Sequence, residues 1–399
     1  MNVFVINAGS SSIKYQVIRM PEATVVCSGL VDRVGFDGSG IRHKTYINRR
    51  EKIIEDTQPI ANHATGLKAV AKLLTNPEYG IVQDPKEIDV VGHRVVHGGE
   101  SFSDTIIINA EVKEKIKGLF SLAPLHNPPN YEGIVTAEQV FPDAVQVAVF
   151  DTSFHQTMPP IAFRMAIPNS LYVKDGIRAY GFHGTSHKYV SGQAAHYLGG
   201  NVPRMITIHL GNGCSMCAIR DGVCIDTSMG LGPMNGLIMG TRAGDIDQSV
   251  IFYLMNQLGY SIAEVNTMLN HKSGMLGLTG FSDMRDVNTQ YKKGDEKSIL
   301  AYSMYAYRIR KFIGAYAAVL NGLDAIVFTA GVGENDPLTR SLATTCMEYL
   351  GIRLDEEKNY AGGHGILEIN KAEAPVKILV IPTNEELEIA RQCYALLTM

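Results

Sequence analysis

The chain opens on an apolar run, residues 3–6, followed by a turn of small residues, Asn7-Ala8-Gly9-Ser10-Ser11-Ser12. Apolar Ile13, Tyr15 and Val17 then alternate with Lys14 and Gln16, the period of a strand with one buried face. Residues 23–30 fit a third strand. Apolar positions three and four apart predict helices over 63–74, 111–120 and 132–141, with strands at 88–91 and 145–150. The second half repeats this order. Strands are predicted over 205–210, 215–220 and 223–227, with a tight turn at Gly211-Asn212-Gly213. Helices follow over 247–258, 262–269 and 297–320, then a strand at 325–329 and a helix near 338–350. A strand at 378–381 and a helix over 385–397 complete the pattern. Three strands followed by alternating elements, twice, predict an α/β protein of two similar lobes.

The length agrees, because 399 residues exceed the ~250–300 that one hydrophobic core usually serves. The expected division joins residues 1–150 with 386–399 as an N-terminal lobe and leaves 151–385 as a nucleotide-binding lobe. The net charge of −4 supplies no basic excess for nucleic acid or an anionic membrane, so any anion site must be local. The N-terminus lacks a basic region, and no apolar run reaches the ~18–20 residues that span a bilayer. The expectation is a soluble, cytoplasmic protein. The cysteines at 27, 214, 217, 224, 346 and 393 read as free thiols. Cys214, Cys217 and Cys224 have no second Cys or His pair at zinc-site spacing, and read as small apolar residues of a buried hairpin.

Two turns invite a phosphate. Residues 9–14 lack the second glycine and the Ser/Thr of a P-loop, and the continuation alternates as a strand does. Three serines in a hairpin can still hold phosphate oxygens through hydroxyls and backbone N–H groups. The matching turn at 209–215 has glycines that let backbone approach a ligand closely. Corresponding turns in two halves favour a nucleotide in a cleft between related lobes. A third glycine-rich segment, 328–335, suits a loop against a nucleoside.

Arg94 and Arg242 sit in glycine-rich, charge-poor stretches, 92–99 and 239–245, where a planar guanidinium fork suits a carboxylate or phosphate. His183 and His187 have zinc-like spacing without the Glu of metalloproteases, and the surrounding glycines disfavour a helix. His183 reads better as a donor to developing negative charge. Asp151 ends a buried strand, and Glu385 and Glu386 lie at the other crossover. Either group could cap, hinge or hold Mg²⁺. This mixture is what phosphoryl transfer needs, with no covalent nucleophile.

The motifs at 7–14, 92–99, 150–158, 180–187, 209–213, 239–242 and 382–386 together resemble the acetate kinases, of the acetate and sugar kinase/Hsp70/actin superfamily, nearly end to end. The resemblance implies the duplicated actin-like ATPase (ribonuclease H-like) fold, a homodimer, lobes that close on substrate, and direct in-line transfer from ATP to acetate. Arg94 and Arg242 would bind the carboxylate and the phosphoryl group in flight, and His183 its equatorial oxygens. Asp151 and Glu385 would organise Mg²⁺ (or Mn²⁺), with Asn7 nearby. Ser10, Ser12, Lys14, His209, Asn212 and Gly213 would support the phosphates. Asp283, Met284, Arg285, Gly331, Val332 and Asn335 would hold the adenosine.

By the same resemblance, Val96, Leu125, Phe182 and Pro233 would form an apolar pocket with room for about a methyl group. Propionate kinases resemble this chain with Ala where Val96 stands. The family's Thr-Pro-Leu-Glu-Gly is replaced by Gly232-Pro-Met-Asn-Gly236, and Cys214 stands where Ala is usual. Three other readings are a kinase of propionate or another short-chain acid, an actin- or Hsp70-like ATPase switch, and a metal hydrolase using the histidines.

Overall fold

The computed structural model describes residues 1–9, 11–47 and 50–398. Of the candidate site residues, Ser10 lies outside the described set. The chain divides into two compact units. Unit 1 is Met1–Phe154 with Asn384–Met399, and unit 2 is His155–Thr383. The divisions fall within a few residues of 150/151 and 385/386, with Asp151 and Glu385 both in unit 1.

Unit 1 is built on β1 (Asn2–Ala8), β2 (Ser12–Arg19), β3 (Thr24–Asp32), β4 (Gly40–Ile47), β5 (Arg50–Thr57), β6 (Val90–Val95), β7 (Ile106–Ile107) and β8 (Val145–Phe150). They form one sheet in the order β5-β4-β3-β2-β1-β6-β8-β7. The hairpins β1–β2 and β2–β3 are antiparallel, whereas β1–β6 and β6–β8 are parallel. Alternation along β1 sends Phe4 and Ile6 to one face, where they pack with Leu67 and Val70 of the helix His63–Leu74 and with Phe141. Val3 and Val5 face the other way, onto Ile389 and Cys393 of the C-terminal helix Glu385–Thr398. A Cβ on Gly92 would come within 2.9 Å of both Cys393 Sγ and Ile389, so the helix seats only on a bare backbone there.

Unit 2 carries β9 (Arg204–Leu210), β10 (Cys214–Arg220), β11 (Val223–Thr227), β12 (Ala325–Thr329), β13 (Leu367–Glu368) and β14 (Lys377–Val380), in the order β11-β10-β9-β12-β14-β13. The strands β11, β10, β9, β12 and β14 repeat the order and sense of β3, β2, β1, β6 and β8. The paired pattern in the sequence is therefore a repeated sheet.

Several elements depart from the pattern. The strand expected at 88–91 runs over Val90–Val95, because Asp84 caps a short turn at Pro85–Glu87 first. The ribbon β4–β5 carries charge on much of its length, including the pairs Arg42–Glu55 and Lys44–Glu51, both at 3.2 Å, so it shows little hydrophobic period. The glycines near His183 do not prevent a helix, since one runs over Gly184–Tyr197. Its buried face is made of Thr185, Ser186, His187, Ser191 and Ala194 as well as Val190, which hydrophobic periodicity cannot detect. The segment 330–335 is a short helix, Ala330–Asn335, and 338–350 splits into a helix Pro337–Thr344 and a turn Glu348–Leu350. Among the described residues, no helix is long and apolar enough to cross a membrane.

Two histidines buried in unit 1 link its stability to pH. His43 Nδ1 bonds Tyr15 Oη at 2.7 Å, and His93 Nε2 bonds Gln146 Oε1 at 2.8 Å. Burial lowers each pKa from 6.5 to about 4. The unfolded chain therefore takes up protons below about pH 6.5 that the folded chain refuses. Stability should fall as pH drops through 6.5 towards 4, by up to about 1.4 kcal/mol per pH unit for each histidine. Urea unfolding of unit 1 between pH 7 and 5 should show this slope, and His43→Gln or His93→Gln should each remove about half of it. A midpoint that stays constant over this range would refute the assignment.

Candidate active site

The parallel strands β6 and β8 end side by side in unit 1. Arg94 is the penultimate residue of β6, and Asp151 directly follows β8. The guanidinium grips the carboxylate with two nitrogens. Nε donates to Oδ1 at 2.9 Å and to Oδ2 at 3.2 Å, and Nη2 donates to Oδ2 at 2.6 Å. Glu385, at the start of the C-terminal helix, adds a second carboxylate, 3.9 Å from Arg94 Nε. Burial opposes the arginine's charge, but Asp151, Glu385 and Glu386 together hold its pKa above the ordinary value. Burial pushes the Glu385 carboxyl up. Asp151 and Glu386 add to that, against Arg94 and Lys14. Lys14 thus lies within electrostatic range of this group. With more carboxylates than fixed cations nearby, the cluster has the donor chemistry of a hard divalent ion.

The loop after β6 is held by the helix Asn127–Val140. Asn130 accepts from Val96 N at 3.0 Å and donates to Ala8 O at 2.7 Å, joining the Arg94 loop to the serine turn. Asn127 bonds both backbone groups of His97, and Thr152 Oγ1 accepts from Gly98 N at 2.9 Å. His63 Nε2 meets Gly9 O at 2.7 Å. Val96 is buried and Leu125 is 58% exposed. Both belong to unit 1, and Phe182 and Pro233 to unit 2.

In unit 2, His183 stands at φ +57 immediately before the helix Gly184–Tyr197. A non-glycine residue in this left-handed region carries a backbone cost of about 1 kcal/mol or more. Its Nδ1 bonds Ser215 Oγ at 2.8 Å, and its ring stacks on His209 with centroids 4.2 Å apart. Ser215 Oγ also bonds His187 Nε2 at 2.8 Å, and His187 Nδ1 bonds Thr207 Oγ1 at 2.7 Å. Burial, with His155 and His209 adding to it, keeps His187 neutral by lowering its pKa well below 6.5. One of its nitrogens therefore donates and the other accepts. His209 Nδ1 bonds Ser186 Oγ, and Ser186 Oγ bonds Thr383, each at 2.8 Å.

The β9–β10 turn brings His183 and Arg242 to one point. A Cβ on Gly213 would lie 3.4 Å from His183 Nε2 and 3.5 Å from Arg242 Nη1. Arg242 donates to Pro233 O at 2.8 Å. Burial lowers its pKa, and no carboxylate among the described residues pairs with it. Asn212 Oδ1 packs so closely over Gly240 that a Cβ there would collide with it. A cavity of about 1170 Å³ opens beside this turn. It is lined by Asn212, Asp283, Met284, Arg285, Gly331, Val332 and Asn335 among others. Arg285 bonds Asp283 at its mouth, which holds the Asp283 carboxyl at about 2.

The sequence profile of the Acetokinase family matches residues 2–391. An acetate kinase of Flavobacterium johnsoniae is 56% identical over 397 residues, covering 100% of both chains. The chain belongs to the acetokinase family. Among solved structures, the acetate kinase of Porphyromonas gingivalis has the same fold, with TM-score 0.93 at 43% identity and 100% coverage of both chains. A propionate kinase from Francisella tularensis gives TM-score 0.91 at 42% identity over 98% of each chain.

In this acetokinase chain, the adenosine candidates gather on one cavity, and Arg94, Asp151, Glu385 and Lys14 gather at one sheet edge. Asn7 is the penultimate residue of β1, opposite Lys14 of β2, and Ser12 begins β2. Sequence reading missed Asn130, Thr207, Ser215 and the neutral His187. Their only signal is contact across 20 to 122 residues of chain. Asn130→Ala should leave Ala8 O and Val96 N buried without a partner, costing about 2–6 kcal/mol of stability at ~1–3 kcal/mol per lost partner. Urea unfolding measures that loss. An unchanged midpoint would mean that the two loops hold their positions without it.

Proposed function

We propose that this acetokinase chain transfers the γ-phosphoryl group of ATP to acetate, giving acetyl phosphate and ADP by direct in-line displacement. The carrying observation is Arg242. This half-buried guanidinium has no carboxylate partner among the described residues, and its Nη1 converges with His183 Nε2 on Gly213, beside a cavity of nucleotide size. Two donors aimed at one point suit an anion, and are most useful where charge spreads over three phosphoryl oxygens.

An acetate oxygen attacks the γ-phosphorus while its bond to the bridging oxygen of ADP breaks. Acetate is already ionised, so no base removes a proton. Arg94 orients the acetate carboxylate, and Arg242 and His183 bear on the equatorial oxygens. Asn212, Gly213 and His209 support the phosphates, as do Lys14 and Ser12. Asp283, Met284, Arg285, Gly331, Val332 and Asn335 receive the adenosine. For His183 to present an Nε2 proton while neutral, its Nδ1 must accept from Ser215. Ser215 then accepts from His187 Nε2, and Thr207 donates to His187 Nδ1. Every hydrogen bond of that chain then has one donor and one acceptor.

Asp151 and Glu385, with Asn7, are the groups that would hold Mg²⁺ or Mn²⁺. When bound, the ion neutralises phosphate charge. The excess of carboxylates around Arg94 fits it. The chain acts as a homodimer in the cytoplasm, and exposed apolar Phe252, Leu258 and Ile262 offer surface for self-association. Sedimentation should give twice 43.6 kDa.

Hydroxylamine trapping tests the reaction. Acetate with ATP should yield acetyl hydroxamate, whereas ATP hydrolysis without hydroxamate would indicate an ATPase switch. Arg94→Ala and Arg242→Ala should each cut kcat by about 10²-fold or more, the scale of one lost transition-state donor. Near-normal turnover would remove that arginine from the site. Val96 is buried and sets the acyl preference, so Val96→Ala should raise kcat/KM for propionate relative to acetate by about 10-fold or more. An unchanged ratio would dismiss the pocket assignment.

A further inference from the structure

A second cluster of reactive side chains lies in unit 2, outside the phosphoryl-transfer residues. Cys217 is on β10, Cys224 is on the neighbouring β11, and His155 comes from the turn Ser153–Thr157. The two sulfurs are 3.2 Å apart. His155 Nδ1 is 3.2 Å from Cys224 Sγ and 4.0 Å from Cys217 Sγ. All three residues are completely buried, and one donor atom from each lies within 4.8 Å of the others.

The other nitrogen of the imidazole decides its orientation. His155 Nε2 lies 3.0 Å from Phe182 O. A carbonyl oxygen only accepts, so Nε2 carries the proton and the lone pair of the neutral ring is on Nδ1, towards the sulfurs. An imidazole fixed in this way by a backbone carbonyl is the usual support of a metal-binding histidine. Nearby, the buried Tyr316 hydroxyl has no hydrogen-bond partner among the described residues, and it is within electrostatic range of Cys217, Cys224 and Asp226. An orphaned buried polar group of this kind calls for a water or an ion.

We propose that His155, Cys217 and Cys224 form a buried structural site for zinc. Two thiolates, one imidazole and one Zn²⁺ make a neutral unit, which a buried position tolerates. Loading releases two protons, one from each thiol, and involves no oxidation. With metal–sulfur bonds of about 2.3 Å in tetrahedral geometry, the sulfurs stand roughly 3.8 Å apart, so the pair opens by about half an ångström on loading. The Asp226 carbonyl, 3.5 Å from Cys224 Sγ, is in reach as a fourth donor. The site ties β10 and β11 to Phe182, the residue before His183, so the metal braces the strained loop rather than taking part in transfer.

The test uses the full chain, purified under reducing conditions, equilibrated with Zn²⁺ and freed of loose metal by gel filtration. Elemental analysis should give about one zinc per chain, and Cys217→Ser or Cys224→Ser should lower it by roughly tenfold. Cys346→Ser, which alters an exposed thiol elsewhere, should retain it. Co²⁺ in place of zinc should give the wild-type chain a thiolate-to-metal charge-transfer band, a reading that does not depend on how the variants fold. Zinc content equal in wild type and both variants, Co²⁺ uptake without the thiolate band, or failure to bind either ion would each overturn the proposal. So would a Cys217–Cys224 disulfide in place of the metal in freshly purified protein.

Discussion

Parallel pairing of buried strands is the constraint on which the rest depends. In unit 1, β6 runs parallel to both β1 and β8, and in unit 2, β12 runs parallel to both β9 and β14. Their carboxyl ends therefore meet at one edge of each sheet. The strands are covered on both faces and so must be apolar almost throughout. Polar groups appear where the apolar runs end, still largely buried: Asn7 near the end of β1, Arg94 on β6, and Asp151 just after β8. His209 and the Gly211–Gly213 turn occupy the same place in unit 2. The sheet order thus delivers polar groups from distant parts of the sequence to a common edge.

The two arginines show how differently such an edge can be charged. Arg94 is held by Asp151 and flanked by Glu385 and Glu386, so its charge is compensated more than once. Among the described residues, Arg242 has only carbonyl and thioether partners for hydrogen bonding, and burial works against its charge. A cation with surplus anions nearby and a cation with none ask for different ligands. The first surroundings suit a metal ion shared with the arginine, and the second suit an oxyanion.

Much of this was legible in the sequence. The runs over β1, β8 and β12 and the helix His63–Leu74 announce themselves by period, and the glycine-rich turns mark where backbone must come close. The ribbon β4–β5 was not legible, because its charges interrupt the period of 2. Nor was the helix after His183, whose buried face is largely hydroxyls, a histidine and alanine. The long-range pairs were the least visible. Asn130 meets Ala8 across 122 residues, and His155 meets Cys217 and Cys224 across 62 and 69. Cysteine spacing alone could not show this cluster, because His155 comes from another segment altogether.

The backbone at His183 sets stability against chemistry over evolutionary time. A left-handed conformation costs most residues about 1 kcal/mol or more, and glycine almost nothing. Drift towards glycine or asparagine at position 183 would relieve that backbone cost but remove the ring's stack on His209 and its bond to Ser215. Under the proposed transfer, selection on activity is what would hold the histidine against such drift, and a lineage released from that selection would be free to exchange it.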